Sequence, residues 1–108
     1  MEIRFHEKLY KDKISELQMM SIRRKVQNGS SKLNLFLITL PMNGQGILEI
    51  YWYPELLQDL YRKMDMELVV VGLAWNRRSA FRLIKRIVEE VNLSEKGTSV
   101  RGFFEENR

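Results

Sequence analysis

Apolar and polar residues first alternate along this chain. From Glu2 to Leu9 the residues Ile3, Phe5 and Leu9 share most of one side at a period of two, so the chain is expected to open as a strand, with His6 facing away from Phe5. The period then changes. Asp12 is expected to cap a helix with Ser15 at its third position and Glu16 in its first turn, running to about Gln27 and stopping at Asn28-Gly29-Ser30-Ser31. Its apolar residues form two arcs, Ile14/Leu17/Met20 and Met19/Ile22/Val26. A helix apolar on two sides either packs against both its sheet and a second subunit or fills an irregular core with adaptable methionines.

A hairpin is expected next, from Leu33–Leu40 through Pro41-Met42-Asn43-Gly44-Gln45-Gly46 into Ile47–Tyr53, because Asn-Gly accepts positive φ at low cost. Pro54 suits a helix start, and Leu56, Leu57, Leu60, Tyr61 and Met64 give Pro54–Lys63 a helical period. Leu68–Leu73 is continuously apolar and β-branched, which fits a central strand. Arg77–Val91 has the clearest helical period, with Ala80, Ile84, Ile87, Val88 and Val91 on one face. Asn76 is placed to cap it, and Lys85/Glu89 and Arg86/Glu90 are four-residue charge pairs outside. Beyond Asn92 the pattern fades; Thr98–Phe104 reads either as a short strand or as an ordered tail.

The resulting order is an α+β chain, βαββαβ with an added C-terminal helix. This is the order of a ferredoxin-like sandwich, in which the helices cover one side of a four-stranded sheet, although another sheet order stays open. At 108 residues one domain spans 1–108, and 44% hydrophobic with 30% charged residues is the balance of an ordinary globular chain. There is no cysteine, which excludes disulfides, thiolate nucleophiles and sulfur-ligated zinc. The first residues lack the uninterrupted apolar core of a secretory signal, and Leu35–Leu40 and Leu68–Trp75 are far shorter than the roughly 20 residues that cross a bilayer. The expected location is the cytoplasm, with no membrane partner.

Charge is uneven. Residues 1–32 carry eight Lys/Arg against four acids, 33–73 two against five, and 74–108 eight against five, giving a net +4. Arg23-Arg24-Lys25 and Arg77-Arg78-Arg82-Lys85-Arg86 are the basic clusters. A solvated helix face explains them first, with nucleic acid as the less favoured partner. The third strand, Gly46–Tyr53, lacks the basic-glycine-aromatic pattern of an RNA-recognition motif. Asn43-Gly44-Gln45-Gly46 lacks the GK[ST] of a P-loop and leads into a strand. Gly72-Leu73-Ala74-Trp75-Asn76 does lead from strand to helix, so Arg77, Arg78 and Arg82 are candidate anion-binding residues.

His6 is the lone histidine, with no acid or nucleophile assignable to it by spacing. Asp59, Asp65 and Glu67 show no metal-ligand spacing. The sequence therefore implies no cofactor, metal or catalytic residue, and the reading leans away from an enzyme. Tyr51, Trp52, Tyr53 and Trp75 are the candidate interface, since such rings concentrate at binding surfaces. With the two-sided first helix they point to a noncatalytic domain that acts through protein contacts and self-associates as a homo-oligomer. The alternative is nucleic-acid or anion binding through basic helix faces.

Through Phe5-His6-Glu7-Lys8-Leu9-Tyr10, Leu48-Glu49-Ile50-Tyr51, Pro54-Glu55-Leu56-Leu57, Val71-Gly72-Leu73-Ala74 and Ser79-Ala80, the chain resembles a family of small uncharacterised bacterial proteins of unknown function. The likeness runs from Phe5 to Val91 and implies a compact bacterial cytoplasmic domain. It assigns no residue a role.

Overall fold

In a computed structural model, which describes residues 1–41, 47–94 and 99–106, the least polar strand takes the middle of the sheet. Strand β4 (Glu67–Ala74) is buried from Val70 to Ala74. A strand apolar on both faces is stable only with neighbours at both edges and cover above and below. It pairs in parallel with β1 (Glu2–Lys11) and antiparallel with β2 (Phe36–Thr39), and β2 pairs antiparallel with β3 (Glu49–Trp52). The sheet order is β1-β4-β2-β3.

The α+β class therefore holds with a four-stranded mixed sheet, but the ferredoxin-like arrangement does not: β1 lies at an edge and runs parallel to β4. The physical reason lies in β1 itself. It alternates apolar residues with Glu2, Arg4, Glu7, Lys8 and Lys11, and such charges suit an edge strand. β4, which carries none beyond Glu67, suits the interior. The helices also divide between the two faces. Helix α1 (Glu16–Gln27) and the segment after β3 cover one face, packing Met19, Ile22, Tyr53 and Leu56 onto Leu37, Val70 and Leu73. Helices α3 (Arg77–Asn92) and α4 (Val100–Glu106) cover the other, packing Ala80, Leu83, Ile87 and Phe104 onto Ile38, Val71 and Ala74. The expected one-sided cover fails because β2 and β4 are apolar on both faces.

Local signals place the helices. The cap of α1 is Ser15, not Asp12: Ser15 Oγ accepts from the Gln18 amide at 3.1 Å while Gln18 Oε1 accepts from the Ser15 amide at 2.9 Å. Asp12 precedes a left-handed Lys13 (φ 56°) and faces Arg82 at 3.6 Å. Asn76 caps α3, its side chain accepting from the Ser79 amide at 2.8 Å.

The expected helix Pro54–Lys63 is broken. Tyr53–Leu57 forms a 3₁₀ turn, Gln58 is extended (ψ 148°), and a short α2 (Asp59–Arg62) follows. Tyr53 and Leu56, three apart and both fully buried, fall on one side of a threefold turn, whereas Leu60 points to solvent and gives no reason to continue. The C-terminal segment is helix α4 rather than a strand or tail. Val100, Phe103 and Phe104 share a helical side, and Ser99 Oγ accepts from the Gly102 amide at 3.1 Å. Thr98 and the Asn43-Gly44 turn lie outside the described residues.

Two irregularities tune the sheet. Ile38 pairs with Gly72 but Thr39 with Val70, so Val71 is an extra residue, and both Val71 and Gly72 face α3. A Cβ on Gly72 would lie 3.0 Å from Ile38 Cδ1 and 3.3 Å from Leu83 Cδ2, so glycine is what lets α3 approach. In β1 the register advances from Phe5 opposite Val70 to Tyr10 opposite Gly72, and His6 sits in that irregular stretch.

Candidate functional site

His6 comes first, as the lone histidine of the chain. It is buried, and its Nδ1 accepts from the Lys8 amide at 2.9 Å. That bond fixes the tautomer: Nε2 carries the hydrogen and donates to the Phe104 carbonyl at 2.8 Å. The ring also meets Phe104 edge-on, 5.2 Å between centroids. Both nitrogens are committed to backbone, so His6 joins β1 to α4 and carries no free lone pair for proton transfer. Among the described residues no group of three or more His, Cys, Asp or Glu is placed to hold a metal ion, and no helix is long and apolar enough to cross a membrane.

The candidate anion residues do not converge. Arg77 stands over the Phe36 ring, 5.7 Å from its centroid. Arg82 bonds Ser79 Oγ at 3.1 Å and pairs with Asp12, while Arg78 is exposed. The side chain of Asn76 already occupies the Ser79 amide at the start of α3.

The candidate interface residues divide between core and surface. Tyr53 is fully buried. Tyr51 is half-buried, packs edge-on against Tyr61, and donates its hydroxyl to Glu49 Oε2 at 3.2 Å. Burial, with the Glu49 charge behind it, pushes the Tyr51 hydroxyl up to about 12. Trp75 donates from Nε1 to the Lys13 carbonyl at 3.2 Å, on the α1 side of the sheet. Trp52 alone of the four is exposed, 43%, with Nε1 bonded to Asn34 Oδ1 at 2.7 Å.

Trp52 has apolar company that the sequence reading did not single out. Ile50 is two residues away on the same side of β3, and Phe36 lies directly opposite Trp52 on β2. On α3, the side bearing Arg82 and Arg86 faces Asp12 and Tyr10 of the β1 half, which turns Arg77, Phe81 and Ile84 toward β2 and β3. Phe81 is 55% exposed. Among the described residues the α3 side of β3 is thus left open, bordered by Trp52, Ile50, Phe36, Ile84 and Phe81. The sequence signal existed: Phe81 is a large apolar residue about 100° off the centre of its helix's buried face.

Among the described residues the outer backbone edge of β3 is open as well. The Tyr53 amide donates to the Leu35 carbonyl at 2.8 Å, so by the period of two the amides and carbonyls of Ile50 and Trp52 point away from β2, along the free edge.

These features define a layered α+β domain, helices on both faces of a mixed sheet, with one unguarded edge and no assembled reactive centre among the described residues. No protein-family model, curated protein or solved structure matches the chain. The resemblance noted from sequence gains no support from these comparisons, and function has to be argued from the site.

Proposed function

We propose that this chain is a noncatalytic domain that works through protein contacts, and that its contact is with a second copy of itself across β3. The observation that carries this reading is the coincidence of two unfilled needs at one edge: outward amides and carbonyls at Ile50 and Trp52, and the uncovered stripe of Trp52, Ile50 and Phe81 beside them. An antiparallel edge offers donors and acceptors at the same residues, so a two-fold axis at Tyr51 pairs it with its own copy and places both stripes on one face. The opposite edge differs. β1 carries Arg4, Glu7, Lys8 and Lys11 and an irregular register, the devices that keep an edge from pairing, whereas the only charged residue of β3 is Glu49, bonded to Tyr51 on the other face.

Light scattering after size exclusion tests the reading. The expected result is a dimer, converted to monomer by Trp52→Lys and by Phe81→Lys; both side chains are exposed enough that the core stays intact. A strict monomer at high protein concentration, or a dimer unmoved by both substitutions, overturns it. The rival, nucleic-acid binding by the basic helix faces, predicts affinity that falls steeply with salt. Arg82 and Arg86 face Asp12 and Glu90 at 3.6 and 4.0 Å, so two of the five basic side chains of α3 are opposed by an acid.

A further inference from the structure

A cavity of about 810 Å³ lies on the other face of the sheet, between the second half of α1 and the 3₁₀ turn. This is within the usual size of a small-molecule site. Phe5, Val26, Leu56 and Leu57 give it apolar walls. Two guanidinium groups stand at it: Arg23, held 5.2 Å above the Phe5 ring, and Arg62 at the end of α2. Glu2 is the only acidic side chain among the lining residues, against the two guanidinium groups and the Met1 ammonium, which donates to the Arg62 carbonyl at 3.3 Å, so positive charge is in excess there.

The second observation is Tyr53, which also borders this cavity. It is fully buried, and its hydroxyl has no hydrogen-bond partner among the described residues. A buried hydroxyl without a partner costs roughly 1–3 kcal/mol, and such groups are few in native proteins. That hydroxyl presents no surface to the cavity, so the cost stays with the fold and the head of a ligand meets the guanidinium groups instead.

We propose that this cavity binds a small amphiphilic anion, an aliphatic carboxylate, with its tail among Phe5, Val26, Leu56 and Leu57 and its head taken by Arg23 and Arg62. The walls require an apolar body. The excess of positive groups over the single acid requires an anionic head. A carboxylate has acceptor sites enough for both guanidinium groups. This site is independent of self-association, because it lies on the face opposite the Trp52–Phe81 stripe.

The experiment titrates the full chain with sodium decanoate below its micelle concentration, followed by calorimetry and by amide NMR shifts, with decanol and inorganic phosphate in parallel. Repeating it on Trp52→Lys keeps its outcome separate from that of the dimer. The expected result is saturable decanoate binding, with shifts at Phe5, Val26 and Leu56 and much weaker response to decanol and phosphate. Arg23→Gln combined with Arg62→Gln weakens binding by about tenfold or more. No saturation up to about 1 mM, decanol binding as tight as decanoate, or undiminished binding in the double arginine variant overturns the proposal.

Discussion

Glycine at position 72 has a steric cause. The extra residue Val71 turns Gly72 toward α3, and any side chain there would meet Ile38 and Leu83 at 3.0–3.3 Å. Gly72→Ala is expected to destabilise the chain by about 1–3 kcal/mol, the usual range for adding a methyl to a filled core, read as a lower urea midpoint with unchanged slope. Leu83→Ala in the same chain should restore part of the loss if crowding is the cause. The sequence shows that residue 72 is a glycine in an apolar run, but the reason is a register shift against β2, which no local pattern reveals. His6 is similar. Its isolation from acids and nucleophiles in sequence agrees with a structural role, yet its partner, Phe104, is 98 residues away and beyond the reach of any spacing argument.

At the scale of elements, what was legible followed the strength of the local signal. α3 was readable to within a residue, cap included, because Asn76 and a long apolar period point the same way. α1 was readable in extent but not in its start: Asp12 and Ser15 are both capping types, and the reciprocal Ser15–Gln18 bonds decide between them. Ser15→Ala is accordingly expected to lower stability by about 1 kcal/mol, whereas Asp12→Ala removes only the pairing with Arg82; thermal unfolding of the two variants checks the order. The two arcs of α1 also separate. Met19 and Ile22 are core, while Leu17 and Met20 are 79% and 66% exposed, so core filling accounts for one arc only. The broken second helix and α4 were misread because a threefold turn mimics a helical period over four residues, and a seven-residue helix is too short to show one.

For the molecule as a whole, three tyrosines tie stability to alkaline pH. Burial raises the hydroxyls of Tyr10, Tyr51 and Tyr53 above their ordinary value of 10, Tyr51 to about 12. Above pH 10 an unfolded chain gives up these protons while the folded chain keeps them. The unfolded state then binds fewer protons, and stability falls as pH rises. The urea midpoint is expected to be insensitive to these groups below pH 9 and to drop between pH 10 and 12, with Tyr51→Phe shrinking the drop. A midpoint that rises over that interval contradicts the assignment. The strand order, the least legible feature of all, also constrains how the chain reaches its fold. β4 is the last strand to leave the ribosome, yet it is the only one that touches both β1 and β2. Until about residue 74 has emerged, the N-terminal strand and the following hairpin have nothing to bridge them, so assembly waits for a late segment that must slot between two earlier ones. During that wait the apolar faces of both pieces stand open, and a nascent chain stalled before Glu67 is the form most in need of a chaperone.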